Sequence, residues 1–244
     1  VAHELGRTLT PSPLLGSSVL AARLLREVAD EAACARLLPG IADGSRPVAV
    51  VWTGADGTWS DRPVVTAVPG GVGGTASNAP DGTASNAAGD TAAYAPDDTA
   101  AYVLDGTASY VLDGDEVGTL LVLACDGGRE AGSDGGVALY EVDGAAAGVS
   151  RRDAEALDPL RRLATVTLSA AVGTRLGTVP AEVLQRARSE AIVVLAAEQT
   201  GAAERGLERT VEYTLQRRQF GRPSGSFQAV KHRLADMLVD VEHA

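Results

Sequence analysis

Residues 215–237, LQRRQFGRPSGSFQAVKHRLADM, interrupt a helical pattern and then resume it. Upstream, apolar residues recur at three- and four-residue steps over about 180–216, and the same spacing continues downstream over 226–241. Between the two lie Gly221 and Pro223, which are common turn formers. This stretch therefore predicts a long helix that reverses into a second, antiparallel helix through a tight connection.

The connection is also a basic island in an acidic chain. The 244 residues carry a formal net charge of −11 at pH 7, which disfavours nucleic acid or an anionic membrane as a partner. Residues 214–233 nevertheless contain no Asp or Glu. The charge pattern alone predicts either a site for a small phosphorylated ligand or two arginine-rich helix ends exposed to water. The cations in this island are Arg217, Arg218, Arg222, Lys231 and Arg233.

Side chains of the connection suit a pyrophosphate group. Arg217 has a planar, permanently charged guanidinium that can bind two phosphate oxygens at once. Ser224 or Ser226 is expected to cap the second helix, whose free N–H groups favour an anion. Phe220 and Phe227 are the chain's only two phenylalanines, and each is suited either to cover an adenine ring or to pack the turn.

Two further regions precede the long helix. Residues 12–38 predict two helices with a break near Asp30, because apolar residues again follow helical spacing. After residue 47, short apolar runs alternate with turn residues and predict strands. Since no long helix separates these runs, we expect an antiparallel sheet or small barrel. The runs are VAVVW (48–52), PVVTAV (63–68), YVLDG (102–106 and 110–114), TLLVLA (119–124), GVALYEV (136–142) and LATVTL (163–168).

An eight-residue repeat interrupts the β-rich region. From Gly74 it reads GTASNAPD, GTASNAAG, DTAAYAPD, DTAAYVLD and GTASYVLD. The early copies have little apolar surface to offset the entropy of ordering, whereas the last two gain Tyr, Val and Leu. We expect the last copies to form a strand and the earlier ones an elongated, mobile loop. A small stacked β-solenoid is the alternative.

The order of helices, β region and long helix, together with residues 195–242, resembles the acyl-CoA dehydrogenase family. Weaker similarity covers LDPLRRLATVTL (157–168) and LLPGIADG (37–44). The resemblance implies a divergent member shortened at both ends, with an α+β multidomain fold. Its expected parts are an N-terminal helical remnant (1–46), a middle domain (47–178) forming an antiparallel β-barrel or sandwich with the repeat loop at 74–113, and a C-terminal helix pair (179–244) from an incomplete four-helix bundle.

The resemblance also implies a function. Members of this family dehydrogenate the α,β bond of an acyl-CoA thioester and transfer hydride to FAD. In this family the equivalent loop reaches across a subunit interface to the FAD of a neighbouring protomer, and the matching residues here are Arg217, Phe220 and Gln228. A homo- or hetero-oligomer, as a dimer of dimers, and an electron-transfer flavoprotein as electron acceptor are further implied.

Two departures from the family pattern limit what the chain is expected to do. The usual Thr-Glu-Pro flavin loop is absent, and Tyr110, Val111 and Leu112 stand where many relatives carry an aromatic residue, Ile and Thr. Leu112 cannot donate the hydrogen bond of a threonine. These features favour an alternative function, a non-catalytic partner subunit that lends its loop to the FAD of a complete paralogue.

The catalytic base is also unassigned in this chain. Some relatives place it on the long helix, at the position of Ala191, next to an arginine where this chain has Ile192. Glu190 lies one residue away, a rotation of about 100° that directs it to another helix face. Glu190 is therefore interpreted as a surface carboxylate, and the chain is expected to be unable to complete a turnover by itself.

The remaining reactive residues predict no metal site and no nucleophile. Cys34 and Cys125 are far apart and are interpreted as small packing residues, and His3, His232 and His243 are isolated. No apolar run approaches the ~20 residues that span a bilayer, and the first residues lack the features of a signal peptide. We therefore expect a cytoplasmic protein without membrane insertion.

Overall fold

The computed structural model describes residues 1–70, 101–127, 136–158 and 160–244. The expected mobile loop of early repeat copies lies outside these residues. Helices occupy both ends of the described chain, and strands occupy its middle. The helical elements are α1 (Ala2–Thr8), a π-helix (Leu14–Ala21), α2 (Ala22–Val28), α3 (Glu31–Ala42), α4 (Ala181–Gln216) and α5 (Gln228–Glu242).

The N-terminal helices follow the predicted pattern with one extension. The break falls at Asp30, whose side chain accepts a 2.6 Å hydrogen bond from the Ala33 N–H and caps α3. The second helix continues beyond the predicted end at residue 38 to Ala42, and its last turn contains Ile41, which is buried in the core. The first helix, α1, was not predicted from the sequence.

Five strands of the middle region pair in a closed ring, in the order β4, β2, β3, β7, β5 and back to β4. The expectation of an all-antiparallel sheet was wrong for two pairs. Both β1 and β2 run parallel to β4, because the long excursion through β3 returns the chain in the same direction without a crossover helix. The strands are β1 (Val48–Val51), β2 (Val65–Pro69), β3 (Ala101–Leu112), β4 (Thr119–Asp126), β5 (Val137–Asp143), β6 (Val149–Asp153) and β7 (Leu163–Thr178).

The strand predicted from the last repeat copies is confirmed as β3. Tyr102 and Leu104 point into the ring, where the Tyr102 ring meets that of Tyr140 edge to face at 5.2 Å. This inner core is separate from a second core between the outside of the ring and the helices. In that second core, Leu24 of α2 and Leu184 of α4 are almost fully buried. The helices are therefore held on the ring by apolar burial.

Helix α4 is 36 residues long but packs on the body over only part of its length. Its buried residues end at Leu207, and α5 has no buried residue. Near its middle it crosses α1 at Gly6 and Gly201, where a methyl group on either glycine would overlap the facing backbone carbonyl. Arg7 reinforces this crossing with ion pairs to Glu204 at 2.7 Å and to Glu208 at 2.8 Å. The end of α4 and all of α5 therefore form a hairpin that projects beyond the core.

Candidate functional site

The connection between α4 and α5 is a short β-hairpin at the end of the projecting helical hairpin. It is built from β8 (Arg218–Gln219) and β9 (Arg222–Pro223). Phe220 and Gly221 form its turn with φ angles of 52° and 77°. The Ser224 N–H donates a 2.7 Å hydrogen bond to the Arg217 carbonyl, which closes the connection onto the end of α4. The predicted antiparallel helix pair with a tight connection is thus observed.

The two phenylalanines of this connection have different environments. The guanidinium of Arg222 lies 4.0 Å from the centre of the Phe227 ring, a cation–π contact that packs the turn. Phe220 touches Phe227 edge to face at 6.1 Å but is 90% exposed. A non-glycine residue with positive φ is uncommon, and here it turns an apolar ring into solvent. Phe227 therefore packs the turn, and Phe220 remains available for contact with another molecule.

Three arginines of the connection carry charge that no carboxylate neutralises. Within the part of the chain that the structure describes, Arg217, Arg218 and Arg222 form no ion pair. The Arg217 guanidinium lies 5.8 Å from the Tyr213 ring centre, and all three arginines are exposed. Gln228 begins α5, with its amide nitrogen 2.8 Å from Nε2 of His232. The arrangement can accept an anion without first breaking an ion pair.

The predicted serine cap of α5 was wrong. Phe227 occupies the cap position, and no side chain caps the helix. Ser226 instead donates its hydroxyl hydrogen to the Pro223 carbonyl at 2.7 Å, because Ser224 to Ser226 form a short 3-10 turn ahead of the helix. The free N–H groups of α5 therefore have no side-chain acceptor at this end.

A second feature, the cleft, lies between β3 and α4 and encloses about 420 Å³. Leu15 of the π-helix, Gly57 and Trp59 of the loop after β1, and the end of β3 form one side. Ala191 and its neighbours on α4 form the other. The lining residues are Leu15, Gly57, Trp59, Tyr110, Leu112, Arg161, Leu163, Arg188, Ala191, Ile192 and Leu195. This set is apolar except for the two arginines and the hydroxyl and indole N–H groups of the two aromatic residues.

Charges at the cleft are already neutralised. Arg161 pairs with Glu198 at 2.7 Å, and Arg188 lies 3.5 Å from Asp61. Among the residues that the structure describes, no carboxylate lines the cleft, and the position predicted from the resemblance for a base, Ala191, contributes only a methyl group. The carboxylate of Glu190 lies outside this set, 3.1 Å from the Arg23 guanidinium, in agreement with its predicted orientation toward another face. The cleft suits an apolar group better than an anion.

Aromatic side chains shape one wall of the cleft. Trp59 stacks on Trp52 with ring centres 5.2 Å apart. The Tyr110 ring packs directly on Gly57, where any side chain would collide with it, and Tyr110 itself has a φ of 57°. The role of the two tryptophans was not predicted from the sequence. The only available signal was that the chain's two tryptophans are seven positions apart.

Asp113 follows this wall directly and has an unusual environment. Burial and the nearby charge of Asp115 raise the pKa of its carboxyl group to about 6, and the attraction of Arg161 and Arg162 only partly opposes this. Arg162 is already engaged by Asp115 and, at 2.9 Å, by Glu116. Sequence reasoning treated Asp113 only as the last residue of a repeat.

The exposed connection and the cleft lie far apart in the same chain. Ile192 and Arg217 are separated by 25 positions of one continuous α-helix, which corresponds to about 38 Å at 1.5 Å per residue. The predicted binding residues Arg217, Phe220 and Gln228 therefore lie in or beside the connection and not at the cleft of their own chain.

Other kinds of site are not found among the described residues. No group of three or more His, Cys, Asp or Glu side chains in these residues could hold a metal ion. None of the described helices combines the length and apolar composition that a membrane span requires. Cys125 is buried and Cys34 half-buried, and both are free, as expected of packing residues.

Comparison with known proteins gives similarities at the level of sequence and of fold. Residues 182–244 match the family model described as acyl-CoA dehydrogenase, C-terminal domain. Acyl-CoA dehydrogenase IpdE2 of Mycobacterium tuberculosis is 63% identical over 54 residues, which cover 22% of this chain and 17% of that protein. The aligned part is thus a small share of that relative's length.

Solved structures extend the similarity to almost the whole chain. A variant of the Tcur3481–Tcur3483 steroid ACAD is 32% identical with a TM-score of 0.71, and the match covers 99% of this chain and 55% of that one. The ChsE4–ChsE5 complex from Mycobacterium tuberculosis is 28% identical with a TM-score of 0.74, covering 99% and 56%. The chain spans about half the length of these relatives. Together with the family model, these matches show an acyl-CoA dehydrogenase C-terminal domain sequence at residues 182–244 and the fold of acyl-CoA dehydrogenases over almost the whole chain.

Proposed function

We propose that the chain is a subunit of an FAD-dependent acyl-CoA dehydrogenase, an enzyme that desaturates the α,β bond of an acyl-CoA thioester. The observation that carries this proposal is the α4–α5 connection. It presents three arginines without ion pairs among the described residues and a 90% exposed Phe220 at the end of a helix about 54 Å long. Such a group of exposed cations and an exposed aromatic ring is suited to a phosphorylated ligand with an aromatic base.

The residues of the connection fit the pyrophosphate end of FAD. Arg217 would bind phosphate oxygens through its fork of N–H donors, and Gln228 at the start of α5 would add an amide donor. Phe220 would cover the adenine ring. The uncapped N-terminus of α5 favours negative charge in the same place.

The FAD in question is proposed to be held by a neighbouring subunit. Arg217 lies about 33 Å along α4 from Leu195, the lining residue of the cleft nearest to it on that helix, so the connection cannot serve the cleft of its own chain. A homo- or hetero-oligomer, arranged as a dimer of dimers, would bring the connection of one subunit to the cofactor of another. The exposed apolar residues of α5, Met237, Leu238 and Val239, are consistent with such an assembly.

Bound FAD would accept hydride from the acyl β-carbon while a carboxylate removes the α-proton, and electrons would pass to an electron-transfer flavoprotein. The described residues of this chain contribute binding and positioning to that reaction. Its cleft contributes apolar walls that exclude water, and its connection contributes charge to the pyrophosphate.

A second candidate function is that of a non-catalytic partner subunit. The observation that favours it is the cleft, whose described lining residues include no carboxylate and which carries Leu112 where a hydrogen-bond donor would face a flavin. Both arginines of the cleft are held by Glu198 and Asp61. The ChsE4–ChsE5 relative, described as a complex of two different proteins, supports an assembly of unlike subunits. In such an assembly a complete paralogue would supply the base and most of the flavin site.

One experiment tests the proposal and separates the two candidates. The 244-residue chain is purified alone and with a complete acyl-CoA dehydrogenase paralogue, and bound flavin and dehydrogenation of acyl-CoAs are measured in both samples. A flavin-free chain that restores activity to the paralogue supports the partner function. A yellow chain whose flavin is bleached by acyl-CoA under anaerobic conditions supports a complete catalytic subunit.

The Arg217→Gln variant tests the connection itself. Loss of a charge-assisted, bidentate contact is expected to weaken FAD binding by the assembly about 10- to 100-fold. Arg209→Gln is the matched control, because Arg209 is an exposed arginine two turns earlier on the same helix without an ion pair among the described residues. Equal FAD affinity of Arg217→Gln and Arg209→Gln would refute the assignment.

A further inference from the structure

Strand β3 is built from two successive copies of the eight-residue repeat. The sequence Tyr-Val-Leu-Asp occurs twice, at 102–105 and at 110–113, and its last residue lies just beyond the strand. The preceding copy, at 90–97, ends in the related sequence Tyr-Ala-Pro-Asp. A strand displaced by one repeat would carry residues 93–105 where 101–113 now lie. Nine of these thirteen positions would keep the same residue type, and the four that change are 103, 104, 106 and 109.

Contacts at the start of β3 would survive this displacement. The Tyr102 ring meets that of Tyr140 inside the ring of strands. The Asp105 carboxylate accepts a 2.8 Å hydrogen bond from the Ala170 N–H. The preceding copy has a tyrosine and an aspartate at the same two positions, so either copy can form both contacts.

Contacts at the end of β3 would also be reproduced. Tyr110 packs on Gly57, and the carboxyl group of Asp113 lies against Gly16, where an added Cβ would be 3.1 Å from Oδ2. The displaced strand would bring a tyrosine and an aspartate to these places as well. The connection to β4 would become eight residues longer, which costs little loop-closure entropy. The two registers therefore differ chiefly at the four positions whose residues change.

Two of these four positions tolerate either residue. Val103 points out of the ring and is half-buried, so an alanine there loses little packing. Ser109 makes its contacts through the backbone. Its N–H donates to the Gly54 carbonyl at 3.1 Å, and its carbonyl accepts from the Thr53 hydroxyl at 2.5 Å. Because an alanine would keep both bonds, the choice of register falls on positions 104 and 106.

Leu104 is the first position at which the two copies are not equivalent. Its side chain is fully buried inside the ring, and its partners are Ala67 on β2 and Ala171 on β7. The displaced strand would carry Pro96 here. Proline has no N–H to donate and is disfavoured in a strand that has partners on both sides. The displaced register would also remove the leucine side chain from the inner core.

Gly106 is the second such position. Its φ of 149° is rarely adopted by residues with a side chain, and it lies at a register shift in the pairing of β3 with β7. An added Cβ would lie 2.8 Å from Cα of Val65 and 3.1 Å from the Val64 carbonyl oxygen. Both are backbone atoms at the start of β2, which cannot turn aside as a flexible side chain can. The displaced strand would place Asp98 at this contact.

We propose that Leu104 and Gly106 select the register of β3 against a strand displaced by one repeat, and that Pro96 and Asp98 are the residues that disfavour the displaced register. Register in a sheet is set by the pattern of side chains, and the repeat presents nearly the same pattern twice. Since the end of β3 lines the cleft, these positions also decide which repeat copy forms that wall. The inference does not depend on flavin binding or on the proposed enzymatic role.

Disulfide trapping in the full chain measures the register. Val103 lies opposite Val172 on the outer face of the ring. Opposite residues in antiparallel strands have Cα atoms about 4.5 to 5.5 Å apart, a distance that a disulfide can span. Val103→Cys with Val172→Cys therefore reports the observed register. Ala95→Cys with Val172→Cys reports the displaced register, in which position 95 would lie opposite position 172. Cys34 and Cys125 are replaced by alanine in every chain.

Pro96→Leu combined with Asp98→Gly removes both obstacles without changing any residue that the structure describes. In a chain without these two changes, the cross-link through position 95 should stay at background level and the cross-link through position 103 should be nearly complete. In the double variant, the first should rise to a yield comparable with that of the second, which should fall correspondingly. Each single change should give less of the cross-link through position 95 than both together. Thermal unfolding of the reduced chains checks that each variant is folded.

Ala88→Leu combined with Asp90→Gly is the matched control, because it makes the same changes one repeat earlier. A displacement by one repeat would still carry Pro96 and Asp98 into β3, so the cross-link through position 95 should stay at background level. The proposal would be overturned if this cross-link failed to rise in Pro96→Leu/Asp98→Gly. It would equally be overturned if the unchanged chain or the control formed this cross-link to the same extent as that variant.

Discussion

Replacement of Asp113 by asparagine is expected to stabilise the folded chain at neutral pH. Folding raises the pKa of this carboxyl from 3.8 to about 6, so the folded state binds the proton more tightly than the unfolded state does. A group with a raised folded pKa contributes stability that is fully present below about pH 4 and is lost as pH rises through about 6. The wild-type chain therefore loses this contribution at neutral pH, whereas asparagine has no proton to lose.

The size of the effect follows from the shift itself. A difference of about two pKa units at about 1.4 kcal/mol each gives up to about 3 kcal/mol between the two pH extremes. Asparagine has nearly the same shape, so the contact with Gly16 is retained. The variant should be more stable than wild type by about 1 to 3 kcal/mol at pH 7 and nearly equal to it below about pH 4.

Urea unfolding at about pH 4 and at pH 7 measures this difference, provided that the slope with denaturant is the same for both proteins. Glu116→Gln is a useful comparison, because interaction with Arg162 lowers the pKa of that carboxyl and its loss should have the opposite sign at pH 7. An Asp113→Asn chain that is less stable than wild type at pH 7, or equally displaced at both pH values, would refute the reasoning.

Three further changes test the packing and the projecting hairpin. Gly201→Ala should destabilise the chain by about 1 to 3 kcal/mol in thermal unfolding, because the new methyl group would strike the His3 carbonyl. Gly206→Ala, where the new methyl group meets nothing within 4 Å, should stabilise α4 by up to about 1 kcal/mol. Leu184→Ala should cost about 2 to 5 kcal/mol in the same measurement, and the exposed Leu215→Ala close to none. Phe220→Ala should leave the thermal midpoint unchanged but weaken FAD retention in an assembly with a paralogue; an unaltered FAD affinity would count against the connection.

Local sequence patterns predicted the elements whose determinants are themselves local. The break at Asp30 and the connection after α4 were found because capping, turn residues and helical spacing act within a few positions. The strand β6 and the helix α1 were missed, since β6 has an uneven burial pattern and α1 is short and held mainly by its crossing with α4. The parallel pairs on β4 were missed because strand direction depends on the path of the whole chain.

The two candidate sites differ in the same respect: the residues of the connection are close in sequence, and those of the cleft are not. Arg217, Phe220 and Gln228 are close in sequence and were predicted as one group, and the structure places them in or beside the same short connection between α4 and α5. Their role in binding a cofactor stays a prediction. The cleft draws its lining from the π-helix, the loop after β1, β3 and α4, so no window of sequence contains it. Asp113 could not be recognised because its neighbours Gly16 and Arg161 are distant in the chain. Its altered acidity is a property of the fold and not of the repeat that contains it.

The hairpin that extends beyond Leu207 also determines how cooperatively this chain unfolds. With no buried residue in α5, its backbone amides are expected to exchange with solvent deuterium long before those of β4, whose central residues are almost fully covered. A subunit or ligand that covers the hairpin would slow the exchange of these amides by a factor that its binding free energy sets. The part of the molecule that is least stable alone would thus report most sensitively that assembly has taken place.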